Sequence, residues 1–296
     1  MKKTSLVLVL LLISIFSFAQ APDWQWAAQA GGNSYDRGNA ITIDDAGNSY
    51  VIGKFEDTAT FGSYSLTSSG LSDIFVSKID SLGIFIWATK AGGISEDIGY
   101  GITIDDTGNS YVTGCFEETA TFGSYTLTSN GRYDIFVAKM DTNGNWLWAS
   151  KAGGNWYDQA LDISKDNFGN CYVTGYFNET VSFGSYSLTS SGLYDIFIAK
   201  IDTNGNWLWA SKAGGDSYDR GYGITIDDTG NSYVTGCFEE TATFGSYSLT
   251  SSGSNDIFVA KMDEDGNWLW VTQAGGTGND IGYAITIDYN GNCYVT

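Results

Sequence analysis

An aspartate recurs at regular intervals along this chain, each time four residues after the second glycine of a Gly-Gly pair. Hard cations such as Ca²⁺ take several oxygen ligands, so a ring of these carboxylates would be a metal site. Alternatively, each carboxylate accepts backbone N–H bonds in its own glycine-rich turn, and regular recurrence favours this because every copy needs the turn. We expect no cofactor and at most weak, salt-sensitive Ca²⁺ attraction. The five copies are Asp36, Asp97, Asp158, Asp219 and Asp280.

Histidine is absent from all 296 residues, which removes Ser-His-Asp and Cys-His nucleophiles and the usual zinc sites. Carboxylate and tyrosine chemistry remain. A glycosidase needs one pair of acids about 5 to 9 Å apart, which would break the sameness of the copies. The acids repeat instead, so we nominate no catalytic residue and expect a protein that is not an enzyme. The alternative is a polysaccharide-active hydrolase or lyase that uses carboxylates in a central channel.

Candidate binding residues are those that differ between copies, because a repeat held constant for folding can vary where it meets a partner. Exposed tyrosine and tryptophan among Asn, Ser and Asp suit sugar stacking or protein contact. Neutral drift with local packing is the alternative explanation. Four candidates lie just before the recurring aspartate and three at the end of a second variable loop: Tyr35, Trp156, Tyr157, Tyr218, and then Arg132, Tyr133, Tyr194.

The repeat itself is marked by Ala-Gly-Gly at residues 30, 91, 152, 213 and 274, a constant spacing of sixty-one. One unit has therefore been copied about four and a half times, in repeats near 30–90, 91–151, 152–212 and 213–273 and a partial one at 274–296. In the second copy, alternating apolar residues separated by turn residues predict four strands. They cover residues 101–105, 110–114, 134–139 and 146–150, with a small hairpin predicted around 121–125. The turn before the fourth strand should give Gly144, like Gly205 and Gly266 in later copies, a positive φ.

Four antiparallel strands per repeat predict an all-β fold, a β-propeller of four-stranded blades. No stretch shows a 3.6-residue period over a helix length, which excludes a helical solenoid. In such a blade, traversed from the centre outward, the fourth-to-first and second-to-third connections fall on one face. The aspartates and the variable loops should therefore meet at the mouth of the axial channel.

The first residues indicate where the protein is sent rather than how it folds. Lys2 and Lys3 precede an apolar run, and Ser17-Phe18-Ala19 offers a cleavage site, so residues 1–19 are predicted to be a signal peptide and 20–296 the repeat domain. We expect a secreted or cell-surface protein without a membrane span. The remaining 34 acids against 12 basic residues give a net charge of −22, which disfavours nucleic acid and anionic membrane as partners.

Four cysteines occupy two repeat positions in alternating copies. Cys115 and Cys237 are two repeats apart, as are Cys171 and Cys293. The two positions are five residues apart along one strand, about 16 Å, which is too far for adjacent copies to form a disulfide. We expect free, partly buried thiols.

The repeat pattern resembles the bacterial SBBP β-propeller repeat family over nearly the whole mature chain. The resemblance implies an exported bacterial propeller, in a family with no single assigned activity and no catalytic residues to transfer. In the second copy the matching residues are Gly92, Gly93, Asp97, Ile102, Asp105, Gly108, Asn109, Tyr111, Val112, Thr113, Gly114, Asp134, Phe136, Val137 and Lys139.

The two ends of the sequence predict an incomplete ring. Residues 24–28 match a fourth strand and could close a last blade, but the chain stops at Thr296, within a second strand. We therefore expect an open ring and a longer gene product. The function that fits best is a non-enzymatic binding or scaffold module for a protein or glycan partner. A structural spacer in a larger surface protein is the other non-enzymatic alternative.

Overall fold

The computed structural model describes residues 23–296, and every regular element in that range is a β-strand. The predicted signal segment, residues 1–19, lies outside the described residues. Within them, no helix is long and apolar enough to cross a bilayer. The strands are β1 (Ala30–Gly31), β2 (Arg37–Ile43), β3 (Ser49–Phe61), β4 (Tyr64–Ile79), β5 (Phe85–Gly93), β6 (Asp97–Ile104), β7 (Ser110–Phe122), β8 (Tyr125–Met140), β9 (Trp146–Ala152), β10 (Gln159–Lys165), β11 (Cys171–Phe177), β12 (Thr180–Phe183), β13 (Tyr186–Thr189), β14 (Asp195–Ile201), β15 (Trp207–Ala213), β16 (Arg220–Ile226), β17 (Ser232–Phe244), β18 (Tyr247–Met262), β19 (Trp268–Ala274), β20 (Ile285–Ile287) and β21 (Cys293–Val295).

The same antiparallel order of four strands recurs along the chain. The second copy pairs as β6-β7-β8-β9, and each of these strands overlaps one of the four segments predicted from the sequence. Two later copies form separate sheets, β10-β11-β14-β15 and β16-β17-β18-β19. The first two copies are joined into one nine-stranded sheet by a short pairing of β5 with β7, and β1 adds to the same sheet by pairing with β3.

The hairpin turns follow from their residues. Asp105 opens the β6–β7 turn, and its Oδ1 accepts from the backbone N–H groups of Thr107 and Asn109, at 3.0 and 2.9 Å. Gly144, Gly205 and Gly266 hold φ at 82°, 84° and 86° in the turns between third and fourth strands, which confirms the predicted positive φ.

The small hairpin predicted in each variable excursion is also present. In the third copy it is β12 paired with β13, and Phe183 lies opposite Tyr186. In the first, second and fourth copies the same hairpin continues the second and third strands, which therefore reach 13 and 16 residues.

Apolar side chains of adjacent sheets pack face to face to form the core. One cluster joins Ile52 and Val76 of the first copy to Val112 and Phe136 of the second, and equivalent clusters join the second to the third copy and the third to the fourth. These residues are buried because both faces of an inner sheet must be apolar when sheets stack.

In the first three copies, a tryptophan of the fourth strand reaches into the next copy. The indole Nε1 of Trp87 donates to the carbonyl of Thr142, that of Trp148 to Thr203 and that of Trp209 to Glu264, each at 3.0 Å. We call this contact the tryptophan clasp. This hydrogen bond holds one sheet against the next and satisfies an indole N–H that would otherwise need water as its partner.

The described residues form no closed ring. Residues 24–28, whose pattern matches a fourth strand, lie in no strand, because no partner strand lies beside them in the described part of the chain, and the ring is open as expected. Instead, the ring of Trp26 lies against Gly83, as Trp87 lies against Gly144 one repeat later. At the other end, β20 pairs with β21.

All four cysteines are free, as predicted. Cys115, Cys171 and Cys237 are buried, and Cys293 is half-buried. Burial raises the pKa of Cys237 to about 11 and raises the pKa values of Cys115 and Cys171 as well. These thiols therefore stay protonated at neutral pH and are poor nucleophiles.

Candidate functional site

Two kinds of connection lie side by side at one end of the sheets. The carbonyl of Tyr133, before the third strand, accepts from the backbone N–H of Asp158, before the next copy's first strand, at 2.9 Å. Tyr194 and Asp219 repeat this contact at 2.9 Å. We call the surface that these connections form the loop face; it comprises residues 32–36, 68–72, 93–97, 129–133, 154–158, 190–194, 215–219, 251–255 and 276–280.

The five recurring aspartates each bind their own turn. Asp97, Asp158 and Asp219 have no exposed surface, and their Oδ2 atoms accept from the backbone N–H groups of Gly93, Gly154 and Gly215 at 2.7 Å. Asp36 and Asp280 make the same bond to Gly32 and Gly276, at 2.6 and 2.8 Å. The structure thus places three of them under the loop face rather than at an exposed mouth.

A second set of buried aspartates was not singled out from the sequence: Asp73, Asp134, Asp195 and Asp256. Lysine Nζ atoms lie 2.8 Å from Asp73 and Asp195 and 3.6 Å from Asp134, while Gln273 replaces the lysine beside Asp256. The Oδ1 atom of all four is buried without a hydrogen-bond partner.

The two sets are close enough to affect each other's charge. Burial raises the pKa of Asp97 to about 8, and Asp73 adds to the rise. Burial likewise raises the pKa values of Asp158 and Asp219 to about 7, with Asp134 and Asp195 adding to the effect. Backbone N–H bonds oppose the rise in each case. At these three junctions, a carboxylate paired with lysine therefore lies beside one that is ready to hold a proton.

Asp162 is an acid of the inner strands without a counterpart in the other copies, where the position is glycine or alanine. Its carboxylate accepts from the backbone N–H groups of Ile163 and, in the next copy, Ile224, at 2.8 and 2.9 Å. Burial raises its pKa to about 6. Both oxygens are thus occupied, and the bond from Ile224 to Oδ2 joins two sheets. Within residues 23–296, no group of three or more acids or cysteines is arranged to hold a metal ion.

Aromatic and charged side chains form a connected string across the first half of the loop face. The Lys54 Nζ lies 5.5 Å from the ring centre of Tyr35 and 2.6 Å from Glu96, whose carboxylate accepts from the hydroxyl of Tyr133. Tyr133 packs against Tyr157, with ring centres 5.7 Å apart.

Arg132 ends this string. Its guanidinium lies 5.2 Å from the ring centre of Tyr157 and donates to the hydroxyl of that tyrosine at 2.6 Å. Four of the seven predicted binding residues therefore belong to one assembly, which Lys54 and Glu96 hold together.

A second assembly surrounds Arg220. Its guanidinium lies 5.2, 5.4 and 5.6 Å from the ring centres of Tyr176, Tyr194 and Tyr218. The rings contact each other, with centres 4.9 Å apart for Tyr176 and Tyr194 and 5.3 Å for Tyr194 and Tyr218. Gln159, two residues after Tyr157, lies opposite Tyr176 in the pairing of β10 with β11, so the two assemblies adjoin.

Trp156 belongs to the same loop as Tyr157, and 42% of its surface is exposed. Leu193 and Ile94 are also exposed on the loop face, at 46% and 69%. The face therefore offers apolar as well as cationic groups to a partner.

Four residues of these assemblies, Lys54, Glu96, Tyr176 and Arg220, were not predicted from the sequence. A signal was present, because the position of Arg220 reads Arg, Ile, Gln, Arg and Ile in successive copies. This variation did not indicate a binding residue, because the position directly follows the constant aspartate and begins a strand. Sequence differences there are readily explained by folding alone.

The opposite end of the sheets carries two clefts, each between the turns that join the first and second strands of consecutive copies. One, of about 410 Å³, lies between the turns of Asp44 and Asp105, and the other, of about 810 Å³, between those of Asp227 and Asp288. Their lysines, Lys78 and Lys261, lie 3.6 and 3.3 Å from Asp44 and Asp227. The positive charge there is already neutralised, unlike that of Arg132 and Arg220.

These features define an all-β repeat protein with one variable face. Residues 25–54, 86–114, 208–236 and 269–296 match the SBBP β-propeller repeat. The chain is therefore similar to the SBBP β-propeller repeat at four places, as the sequence resemblance indicated.

Two curated proteins are similar to the chain. An uncharacterized WD repeat-containing protein of Acanthamoeba polyphaga mimivirus is 25% identical over 85% of this chain and 23% of its own length. The regulatory protein FlaEY of Caulobacter vibrioides is 25% identical over 67% of this chain and 21% of its own length. The chain thus spans between a fifth and a quarter of these relatives.

Two solved structures are also similar in part. A protein of unknown function from Bacteroides caccae has a TM-score of 0.37 and 12% identity, covering 83% of this chain and 86% of that one. The Pan2 WD40 domain of Neurospora crassa has a TM-score of 0.38 and 10% identity, covering 85% and 69%.

Proposed function

We propose that this chain is an exported, non-enzymatic binding module that presents its loop face to a glycan or protein partner. Its four-strand units are the blades of an open β-propeller. The signal segment of residues 1–19 directs it to the cell surface or the medium.

One observation carries the proposal, the connected tyrosines and cations of the loop face. Tyrosine rings provide flat apolar surface at low entropic cost, and guanidinium groups provide directed hydrogen-bond donors. Most of these residues lie on the connections where the copies differ, and Lys54, Tyr176 and Arg220 lie on adjoining strands. The turns at the opposite end keep an aspartate and a glycine in every copy. A binding role explains that division, because a partner requires distinct side chains and a turn does not.

The acids support a binding role over catalysis. The recurring aspartates bind backbone N–H groups, three of the four aspartates of the second set face lysines, and Asp162 joins two sheets. Each of these acids thus has a structural task, and the unique, solvent-open pair that a glycosidase uses is not formed by them.

Affinity electrophoresis in gels that contain neutral or acidic polysaccharides tests the proposal. We expect the mature chain to be retarded by at least one polysaccharide, and Tyr157→Ala and Tyr218→Ala to weaken the retardation. Phe168→Ala, which removes an exposed ring from a turn at the opposite end, is the matched control. Equal weakening of the retardation in Phe168→Ala would contradict a binding site on the loop face. Release of reducing ends from the retarding polysaccharide would contradict a non-enzymatic function.

A further inference from the structure

Every described lysine is paired with an acid, and no arginine is. The nine lysines after the signal segment each lie within 3.8 Å of a carboxylate oxygen. The three arginines, Arg37, Arg132 and Arg220, form no such pair among residues 23–296. The net charge of −22 repels a polyanion at long range, so an acidic ligand must be held by local positive charge that has no acidic partner, as these arginines supply.

The environment of Arg220 leaves donors available. Its guanidinium contacts tyrosine rings, and its Nε atom is buried without a hydrogen-bond partner. The nearest recurring acid, Asp219, accepts from the backbone N–H groups of Gly215 and Glu239, at 2.7 and 3.2 Å. Asp219 is therefore occupied. Although burial acts to lower the pKa of Arg220, a hydrogen bond with Tyr222 raises it, and the guanidinium donors that Tyr222 does not use can take a carboxylate from a ligand in a directional geometry.

The neighbouring junction repeats the arrangement. Arg132 lies over Tyr157 as Arg220 lies over Tyr218, at 5.2 and 5.6 Å from the ring centres. These two arginine–tyrosine pairs belong to adjoining assemblies, so a polymer with regularly spaced charges could contact both.

We infer that the loop face binds an acidic glycan, with Arg220 and Arg132 each holding the carboxylate of a uronic acid residue beside a tyrosine ring. The inference rests on the proposed function and specifies its ligand. A uronic acid carries an apolar C–H face and a carboxylate on one small ring, and the structure places the Arg220 guanidinium 5.6 Å from the ring centre of Tyr218. An acidic peptide supplies the carboxylate alone.

Polygalacturonate, its fully methyl-esterified form and poly-L-glutamate are the probes for affinity electrophoresis of the mature chain. The esterified polymer keeps the sugar backbone and loses the charge. We expect retardation by polygalacturonate to be at least about tenfold stronger than by either other polymer, as for the loss of a charge-assisted hydrogen bond.

Arginine variants locate the site. Arg220→Gln should weaken polygalacturonate binding about tenfold, and Arg220→Lys, which keeps the charge, should be intermediate. Lys165→Gln makes the same change in net charge at the opposite end, where Lys165 pairs with Asp106, and should bind like the unmodified chain. Near-ultraviolet circular dichroism confirms that each variant is folded, and Arg220→Lys serves if Arg220→Gln is not.

The outcomes distinguish failure of the carboxylate assignment from failure of the proposed glycan-binding function. Equal binding of the esterified polymer would overturn the carboxylate assignment and leave a glycan-binding face. Equal binding of poly-L-glutamate would overturn it in favour of a general polyanion or acidic peptide site. Wild-type affinity in a double variant with Arg220→Gln and Arg132→Gln would also overturn it, and no binding to any polysaccharide would contradict the proposed glycan function as well.

Discussion

Asp73 and Asp97 face each other across Gly92 with no side chain between them. The Oδ1 of Asp73 and the Oδ2 of Asp97 each lie 2.8 Å from the point that a Cβ on Gly92 would occupy. Gly214 separates Asp195 from Asp219 in the same way, at 2.8 and 3.0 Å. The glycine of the repeat marker is therefore required by two buried carboxyl groups as well as by its turn.

This arrangement predicts that the protein loses stability as the pH rises from about 4 to 8. Asp97, Asp158 and Asp219 have pKa values raised to about 8, 7 and 7, so between these values and their ordinary 3.8 the folded state holds protons that the unfolded state has released. Each group then lowers the free energy of unfolding by up to about 1.4 kcal/mol per pH unit. Thermal unfolding should show a lower midpoint at pH 8.5 than at pH 5.

At low pH the turn aspartates oppose this trend. Although burial acts to raise the pKa of Asp105, hydrogen bonds from Thr107 and Asn109 hold it below its usual value, so its contribution is lost as the pH falls. Stability should therefore be greatest in mild acid. The thermal unfolding midpoint of Asp158→Asn, whose side chain cannot ionise, should fall less between pH 5 and pH 8.5 than that of the unmodified chain. A midpoint of the unmodified chain that rises over this range would refute the assignment.

Gly92→Ala should destabilise the protein by about 1 to 3 kcal/mol, because Gly92 has φ of 148° and a Cβ would overlap both aspartates. Gly278→Ala is the matched control, since nothing lies within 4 Å of its Cβ position. Urea unfolding measures both. Similar midpoints for the two variants would show that the close approach is not needed.

Gly144→Val should also destabilise by about 1 to 3 kcal/mol, for a different reason. The φ of 82° strains a branched residue, and its Cβ would lie 3.0 Å from the ring of Trp87. The loss should appear in the unfolding midpoint together with a change in tryptophan fluorescence. An unchanged spectrum would mean that the turn is strained without disturbing its neighbour.

Ca²⁺ should bind weakly and be displaced by about 0.5 M salt, where the Debye length is only a few ångströms. Each recurring aspartate already accepts a backbone N–H bond, so it cannot offer both oxygens to a metal ion. Calorimetry with Ca²⁺ on the mature chain measures this. Micromolar binding that survives the salt and disappears in Asp158→Asn would establish a coordinated ion instead.

The local elements could be predicted from the sequence because each depends on neighbouring residues. Alternation specifies the strands, and an aspartate followed by a glycine specifies a turn such as that of residues 105–109. The identical spacing of the copies then extends one copy's prediction to the rest.

Features that join distant residues were not predictable in the same way. Lys90 and Asp73 lie on different strands, and Arg220 and Tyr176 lie in different copies, so their contacts depend on how strands pair and sheets stack. Residues 24–28 have the pattern of a fourth strand but lie in no strand, because the described residues supply no neighbouring strand to pair with them.

The tryptophan clasp has a consequence for how this chain can change in length. Because Trp87, Trp148 and Trp209 each fasten to the copy that follows, a duplicated segment of one full repeat brings its own joint to its new neighbour. Gain or loss of whole units therefore requires no new interface, and each unit's stability depends mainly on the two units beside it. A genome can lengthen or shorten such a protein in single recombination steps while the loop residues diverge independently in each unit.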